Sequence, residues 1–147
     1  MSIRRATEAD LPRLIELMAQ LHPDDADAED PSRVEDYATV LARMTAQGQR
    51  VLVAEDDGRI VGALVLAIVE NITRKGTPYA IIENVVVDED ARGQRHGEAL
   101  IEQAVEEARQ AGCYKVSLTS NKRRSEAHRF YERLGFVQTH EAFRIDL

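Results

Sequence analysis

Apolar residues at Leu11, Leu14, Ile15, Met18 and Leu21 recur at helical spacing, so a first helix is expected there. Thr7 or Asp10 can cap it, and Pro12 is tolerated in its first turn. Pro23 stops it. Val34, Tyr37, Ala38, Leu41 and Met44 mark a second helix that ends near Gly48. Ile3–Ala6 reads as a short opening strand. Val51–Glu55 and Arg59–Glu70 read as strands around Asp57-Gly58, a pair that accepts the positive φ of a tight hairpin turn. Asn71–Pro78 is polar and loop-like, and Tyr79–Val87 is a third strong strand. Leu100, Ile101, Ala104, Val105 and Ala108 form a helical face closed by Gly112. Val116–Thr119 is a further strand. Ala127, Phe130, Tyr131 and Leu134 form one stripe of a short helix stopped at Gly135. Phe136–His140 and Ala142–Leu147 read as a closing antiparallel pair. The order β-α-α-β-β-β-α-β-α-β-β predicts a mixed α/β (α+β) domain.

Length adds that the 147 residues form one domain spanning 1–147, long enough to bury about 68–70% of the unfolded surface. The net charge of −7 argues against nucleic acid as a partner, because phosphate binding needs a basic face. The longest apolar run, Ile60–Val69, is half of the roughly 20 residues that a bilayer span needs, and no apolar leader follows Met1. A membrane partner is therefore not expected. One cysteine cannot form an internal disulfide, which points to the cytoplasm. The four histidines are too scattered for a metal site.

The segment from Val85 to Gly97 reads Val-Val-Val-Asp-Glu-Asp-Ala-Arg-Gly-Gln-Arg-His-Gly: a strand end, a short loop and a helix start. The first amides of a helix lack internal partners, and the helix dipole adds positive charge there. Gly93 and Gly97 allow close approach to the backbone, and Arg92, Arg95 and His96 add charge. A diphosphate fits such a place. G-x-G-x-x-G is absent, and so is the Gly-Lys-Ser/Thr of a P-loop. Two glycines alone fit a solvated loop equally well.

A second motif, Ala127-His-Arg-Phe-Tyr-Glu-Arg-Leu-Gly-Phe136, follows on matching elements. Together the two resemble the GNAT superfamily of acetyl-CoA-dependent N-acetyltransferases, over the stretch from Tyr79 to Phe136 and again at Ile3–Asp10. The resemblance departs at Arg95, where the family usually has glycine, and at His96, usually apolar. Arg124 stands where an asparagine is common, with Asn121 three residues earlier. The resemblance implies a central mixed sheet of about six to seven strands, flanked by four helices, with the parallel strands Tyr79–Val87 and Val116–Thr119 splayed to admit the acetyl-CoA co-substrate. Val85, Val86 and Val87 would hydrogen-bond the pantetheine arm and polarise the thioester carbonyl, with the logic of an oxyanion hole. The diphosphate would rest on Arg92, Gly93, Gln94, Arg95, His96, Gly97 and Glu98, with Asn121 and Arg124 as further cofactor contacts.

Two catalytic roles are implied by the same resemblance. A lysine-like amine, with pKa near 10.4, is neutral about once in a thousand at pH 7, so a base helps, and Glu83 stands where relatives keep a carboxylate. Tyr131 stands where relatives protonate the departing thiolate; with a thiol near 8.5 and tyrosine near 10, transfer is only slightly uphill. From the residues alone, Glu83 is equally a solvated strand residue and Tyr131 equally part of a core stripe.

Acceptor signals point two ways. Ile82–Val87 with Gly112-Cys-Tyr-Lys115 looks like glucosamine-phosphate acetyltransferases. Thr119–Arg124 with Ala127–Tyr131 looks like aminoalkylphosphonate acetyltransferases. Both imply a small amine carrying an anionic phosphorus group, which the basic run Lys122, Arg123, Arg124 and Arg129 would suit; the acidic stretch Asp24–Asp30 would suit a cationic amine instead. The expected partner is a small-molecule amine. A protein Nα or Lys acetyltransferase and a non-catalytic acyl-CoA sensor are the alternatives, and family habit implies a homodimer through the closing strands or outer helices.

Overall fold

Asp57 and Gly58 take φ of 48° and 75°, the mirror-image geometry that a two-residue hairpin demands. Around that turn the chain builds β2 (Gln49–Asp56) and β3 (Arg59–Val69), the centre of the sheet. The computed structural model describes residues 1–147, which fall into two compact units, Met1–Ser117 and Leu118–Leu147.

The first unit opens with β1 (Ser2–Arg5), paired antiparallel to β2, then α1 (Leu11–Ala19) and α2 (Val34–Ala46). After β3 comes α3 (Thr73–Gly76), a single turn in which Arg74 and Lys75 have left-handed backbone. Next come β4 (Tyr79–Val87), antiparallel to β3, α4 (His96–Gln110), and β5 (Val116–Leu118) at the boundary of the units. The five strands form one mixed sheet in the order β1-β2-β3-β4-β5.

Both faces of this sheet are covered, which is why β3 reads as an unbroken apolar run rather than an alternation: Ile60 to Leu66 are all buried. Leu11, Leu14 and Leu17 of α1 form one core cluster with Val51, Val53, Ala63, Val65 and Val86. Helix α4 packs on β2, β3 and β4 through buried Leu100, Ile101, Ala104 and Ala108. Gly62 sets the closeness of this layer. A Cβ there would meet the Val86 carbonyl oxygen at 3.0 Å and the Leu100 Cδ1 at 3.1 Å. Burying each large aliphatic side chain contributes roughly 1.5–3 kcal/mol.

The second unit carries α5 (Ser125–Arg133), whose stripe Ala127, Phe130, Tyr131 and Leu134 is half-buried as its spacing predicts. The four helices expected from periodicity are present, with α3 as an extra turn. The strand count is five rather than six to seven. Phe136–His140 and Ala142–Leu147 form no strand, and Val137, Phe143, Ile145 and Leu147 lie exposed. Alternation marks a segment able to pair, but a strand exists only when a neighbouring backbone supplies its hydrogen bonds.

Candidate functional site

Strand β4 breaks its own alternation where the chemistry is expected. Glu83 pairs with Val65 and Val86 with Ala63, so Asn84 and Val85 together face Leu64. This bulge places Asn84 at φ 54°, a left-handed conformation that asparagine tolerates better than most residues. It turns Glu83 and Asn84 both to solvent, whereas a regular strand would bury one of them. Val85 and Val87 are half-buried and Val86 is buried. Beside the nine residues of β4, β5 has three.

Beyond Val87 the chain is anchored by a carboxylate that the motif reading passed over. Asp88 is 3% exposed. It accepts hydrogen bonds from Arg13 of α1, from Arg59 Nη2 of β3 at 3.0 Å and from its own loop at Asp90 N, 3.3 Å. Burial works to raise the Asp88 carboxyl, but the Arg13 and Asp90 hydrogen bonds outweigh it and the net direction is down. The signal was present in the sequence as an aspartate following three valines, but its two arginine partners come from distant elements.

The loop then reaches the start of α4. Arg92 turns back, its Nε donating to the Val87 carbonyl at 3.3 Å. Gly93, at φ 81°, has open space where a Cβ would sit, so conformation rather than crowding calls for glycine. Gln94 and Arg95 are exposed. Arg95 is the N-cap of α4 at φ 65°, the left-handed region that explains the glycine usual there, and its side chain caps nothing. Its guanidinium pairs instead with Glu98, Nε to Oε2 at 2.7 Å and Nη2 to Oε1 at 2.9 Å. The amides of His96, Gly97 and Glu98 therefore begin a fifteen-residue helix without a side-chain cap. Such a terminus fits a bound diphosphate. The ring of His96 points inward and is buried.

In the second unit, Asn121 Oδ1 accepts from the Arg123 amide at 3.0 Å, making an Asx-turn ahead of α5. The Asn121 carbonyl accepts from the Arg124 amide at 2.9 Å and lies 2.9 Å from the His128 ring Nε2. Asn121 is thus committed to local structure by its oxygens. Tyr131 packs edge-to-face between Phe130 and Phe136, ring centroids 5.2 and 5.9 Å away. Burial pushes its phenol up, against a smaller downward pull from the positive charge of Arg124. Like an ordinary tyrosine it is protonated at neutral pH, the state a proton donor needs.

A sheet whose fourth strand bulges and then leads into an uncapped helix defines the class as a mixed α/β protein. The family model for the Acetyltransferase (GNAT) family matches residues 11–136, and the chain belongs to that family and is an N-acetyltransferase. It is 36% identical to glucosamine 6-phosphate N-acetyltransferase of Trypanosoma brucei brucei, an alignment covering 100% of this chain and 96% of that protein. It is 47% identical to aminoalkylphosphonate N-acetyltransferase of Salmonella typhimurium over 42% of this chain and 40% of the relative. Among solved structures, an acetyltransferase of Trypanosoma brucei superposes with a TM-score of 0.85 at 34% identity, covering 99% of both chains.

Proposed function

We propose that this protein transfers an acetyl group from acetyl-CoA to the primary amine of a small molecule, by direct attack with both substrates bound. The observation that carries this reading is the uncapped start of α4, one short loop beyond the bulged β4. When bound, acetyl-CoA supplies the acetyl group as an activated thioester.

The chain's own groups divide the work. The amides of His96, Gly97 and Glu98 hold the diphosphate, with Arg92, Gly93, Gln94 and Arg95 around it. The backbone at Val85, Val86 and Val87 donates to the pantetheine arm and to the carbonyl oxygen as charge grows there. Asn121, through its side-chain Nδ2, and Arg124 add further contacts to the cofactor. As the amine nitrogen bonds to the acetyl carbon, Glu83 accepts the proton it sheds. The carbon–sulfur bond breaks and the Tyr131 hydroxyl gives its proton to the sulfur. One proton leaves the amine and one reaches the thiol, so solvent restores Glu83 and Tyr131 without net change.

The acceptor is a small amine bearing an anionic group. Support comes from the similarity to a glucosamine 6-phosphate and an aminoalkylphosphonate N-acetyltransferase and from the exposed Lys122, Arg123, Arg124 and Arg129. The reading takes residues 1–147 as one domain, since the family match crosses the boundary at Ser117. It places the protein in the cytoplasm, with Cys113 unpaired and no helix long and apolar enough to cross a membrane. It makes the working form a homodimer.

The test is thiol release from acetyl-CoA across glucosamine 6-phosphate, aminoalkylphosphonates, polyamines and peptides, beside calorimetry with CoA. Release with a phosphorylated or phosphonate amine is expected. Release with peptides alone would make the protein a protein acetyltransferase, and binding without release for any amine would make it a sensor. Tyr131→Phe is expected to lower kcat by about 10²–10⁴ while leaving CoA affinity within about twofold. An unchanged kcat removes Tyr131 from the mechanism.

A further inference from the structure

His96 is the first residue of α4 and the only one in that first turn whose side chain is fully buried, at 3% exposure. Neither ring nitrogen has a hydrogen-bond partner. Buried polar atoms without partners cost free energy, and each calls for a reason. Packing does not supply one. A leucine would fill a similar volume with no orphaned nitrogen. What the imidazole adds is polar reach: its Nε2 lies 3.7 Å from Asp56 Oδ2, just beyond hydrogen-bond distance. Asp56 is the last residue of β2, directly before the Asp57-Gly58 turn, and its other oxygen lies 3.6 Å from the N-terminal ammonium.

We propose that His96 is a positioning residue, whose buried ring braces the first turn of α4 against Asp56 at the end of β2 and so presets the helix-start amides for the cofactor's diphosphate. It rests on the acetyl-CoA reading above, but assigns the side chain of His96, not its amide, and recruits Asp56, which lies outside both motifs. A preset anion site binds more tightly because less freedom is lost on binding. The arrangement exchanges stability for affinity. The unsatisfied ring nitrogens weaken the fold, and the approach of Nε2 to Asp56 Oδ2 at 3.7 Å orients the helix start for the cofactor.

That exchange separates a brace from an ordinary core residue. His96→Leu is expected to hold or raise the melting temperature, yet to raise both the CoA Kd and the KM for acetyl-CoA about tenfold, because the helix start is no longer preset for the anion. kcat at saturating acetyl-CoA should stay within about twofold. His96→Gln, whose amide nitrogen extends toward the place of Nε2, should restore affinity to within about threefold of the original protein. Asp56→Ala should reproduce the loss, and the double variant should be no worse than either single one, since both remove the same contact. Wild-type CoA affinity in His96→Leu overturns the proposal, as do additive losses in the double variant. If the unaltered protein itself gives no binding heat with CoA, the acetyl-CoA reading fails and this proposal fails with it. Binding by the unaltered protein and by His96→Leu alike overturns this proposal alone.

Discussion

Arg95 shows how a single residue can satisfy a site and strain it together. Left-handed backbone costs a side-chain-bearing residue roughly 1–2 kcal/mol relative to glycine, and Arg95 sits there at φ 65°. Its ion pair with Glu98 is exposed on the arginine side, where solvent screens it and little of the strain is offset. Arg95→Gly is therefore expected to stabilise the protein by about 0.5–1 kcal/mol, a rise of roughly 1–4 °C in melting temperature for a chain of this size. A drop in melting temperature would show that the Glu98 pair outweighs the backbone strain. At this scale the sequence already displayed the oddity, arginine where the resembling family has glycine. It did not display the burial of His96 or the left-handed turn at Asn84. Both depend on which strand lies alongside.

Between elements, the strongest tie near the site is Asp88 with Arg13 of α1 and Arg59 of β3. It fixes the loop that carries the chain from β4 to α4. Removing one partner of a buried ion pair leaves the other charges uncompensated, so Asp88→Asn should cost about 3 kcal/mol at pH 7. The sign of its pH dependence follows from the lowered carboxyl. A carboxylate held below its unfolded range adds stability at neutral pH, and that stability is lost as acid protonates it in the folded state. Asp10, which Arg4 hydrogen bonds hold down to about 2, behaves in the same sense. Urea unfolding at pH 7, 5 and 3 should show the gap between Asp88→Asn and the original protein narrowing below about pH 4. A constant gap would mean that the arginines do not govern the titration of Asp88. The elements themselves were legible because their periods are unambiguous: the stripe of α4, the run of β3, the Asp-Gly turn. The tie was not legible, because no local pattern marks three residues that meet from three elements.

On the scale of the molecule, the tail is the feature that calls for a partner. Val137, Phe143, Ile145 and Leu147 are 77% or more exposed, and the last three alternate as strand residues do. Soluble chains seldom leave such a run bare, since unpaired apolar strands invite pairing with another chain. Light scattering coupled to size exclusion should show two copies per particle. Replacing Phe143 and Ile145 with glutamate should shift that particle to one copy while the helical circular dichroism of the remainder stays intact. A dimer that survives the two charges would place its interface elsewhere.

Sequence alone determined what depends on neighbours along the chain: helix and strand periods, the hairpin turn, the helix start rich in glycine and arginine, and the two motifs whose order marks the GNAT family. Tertiary structure decided what depends on residues far apart in the chain. It bulged β4 and turned Glu83 and Asn84 outward together, gathered two arginines onto Asp88, set His96 beside Asp56, and left the last residues without a strand to pair with. The division has a plain physical cause. Backbone preference and amphipathic spacing act over a few residues, whereas burial, ion pairing and sheet hydrogen bonds are fixed only when distant segments meet.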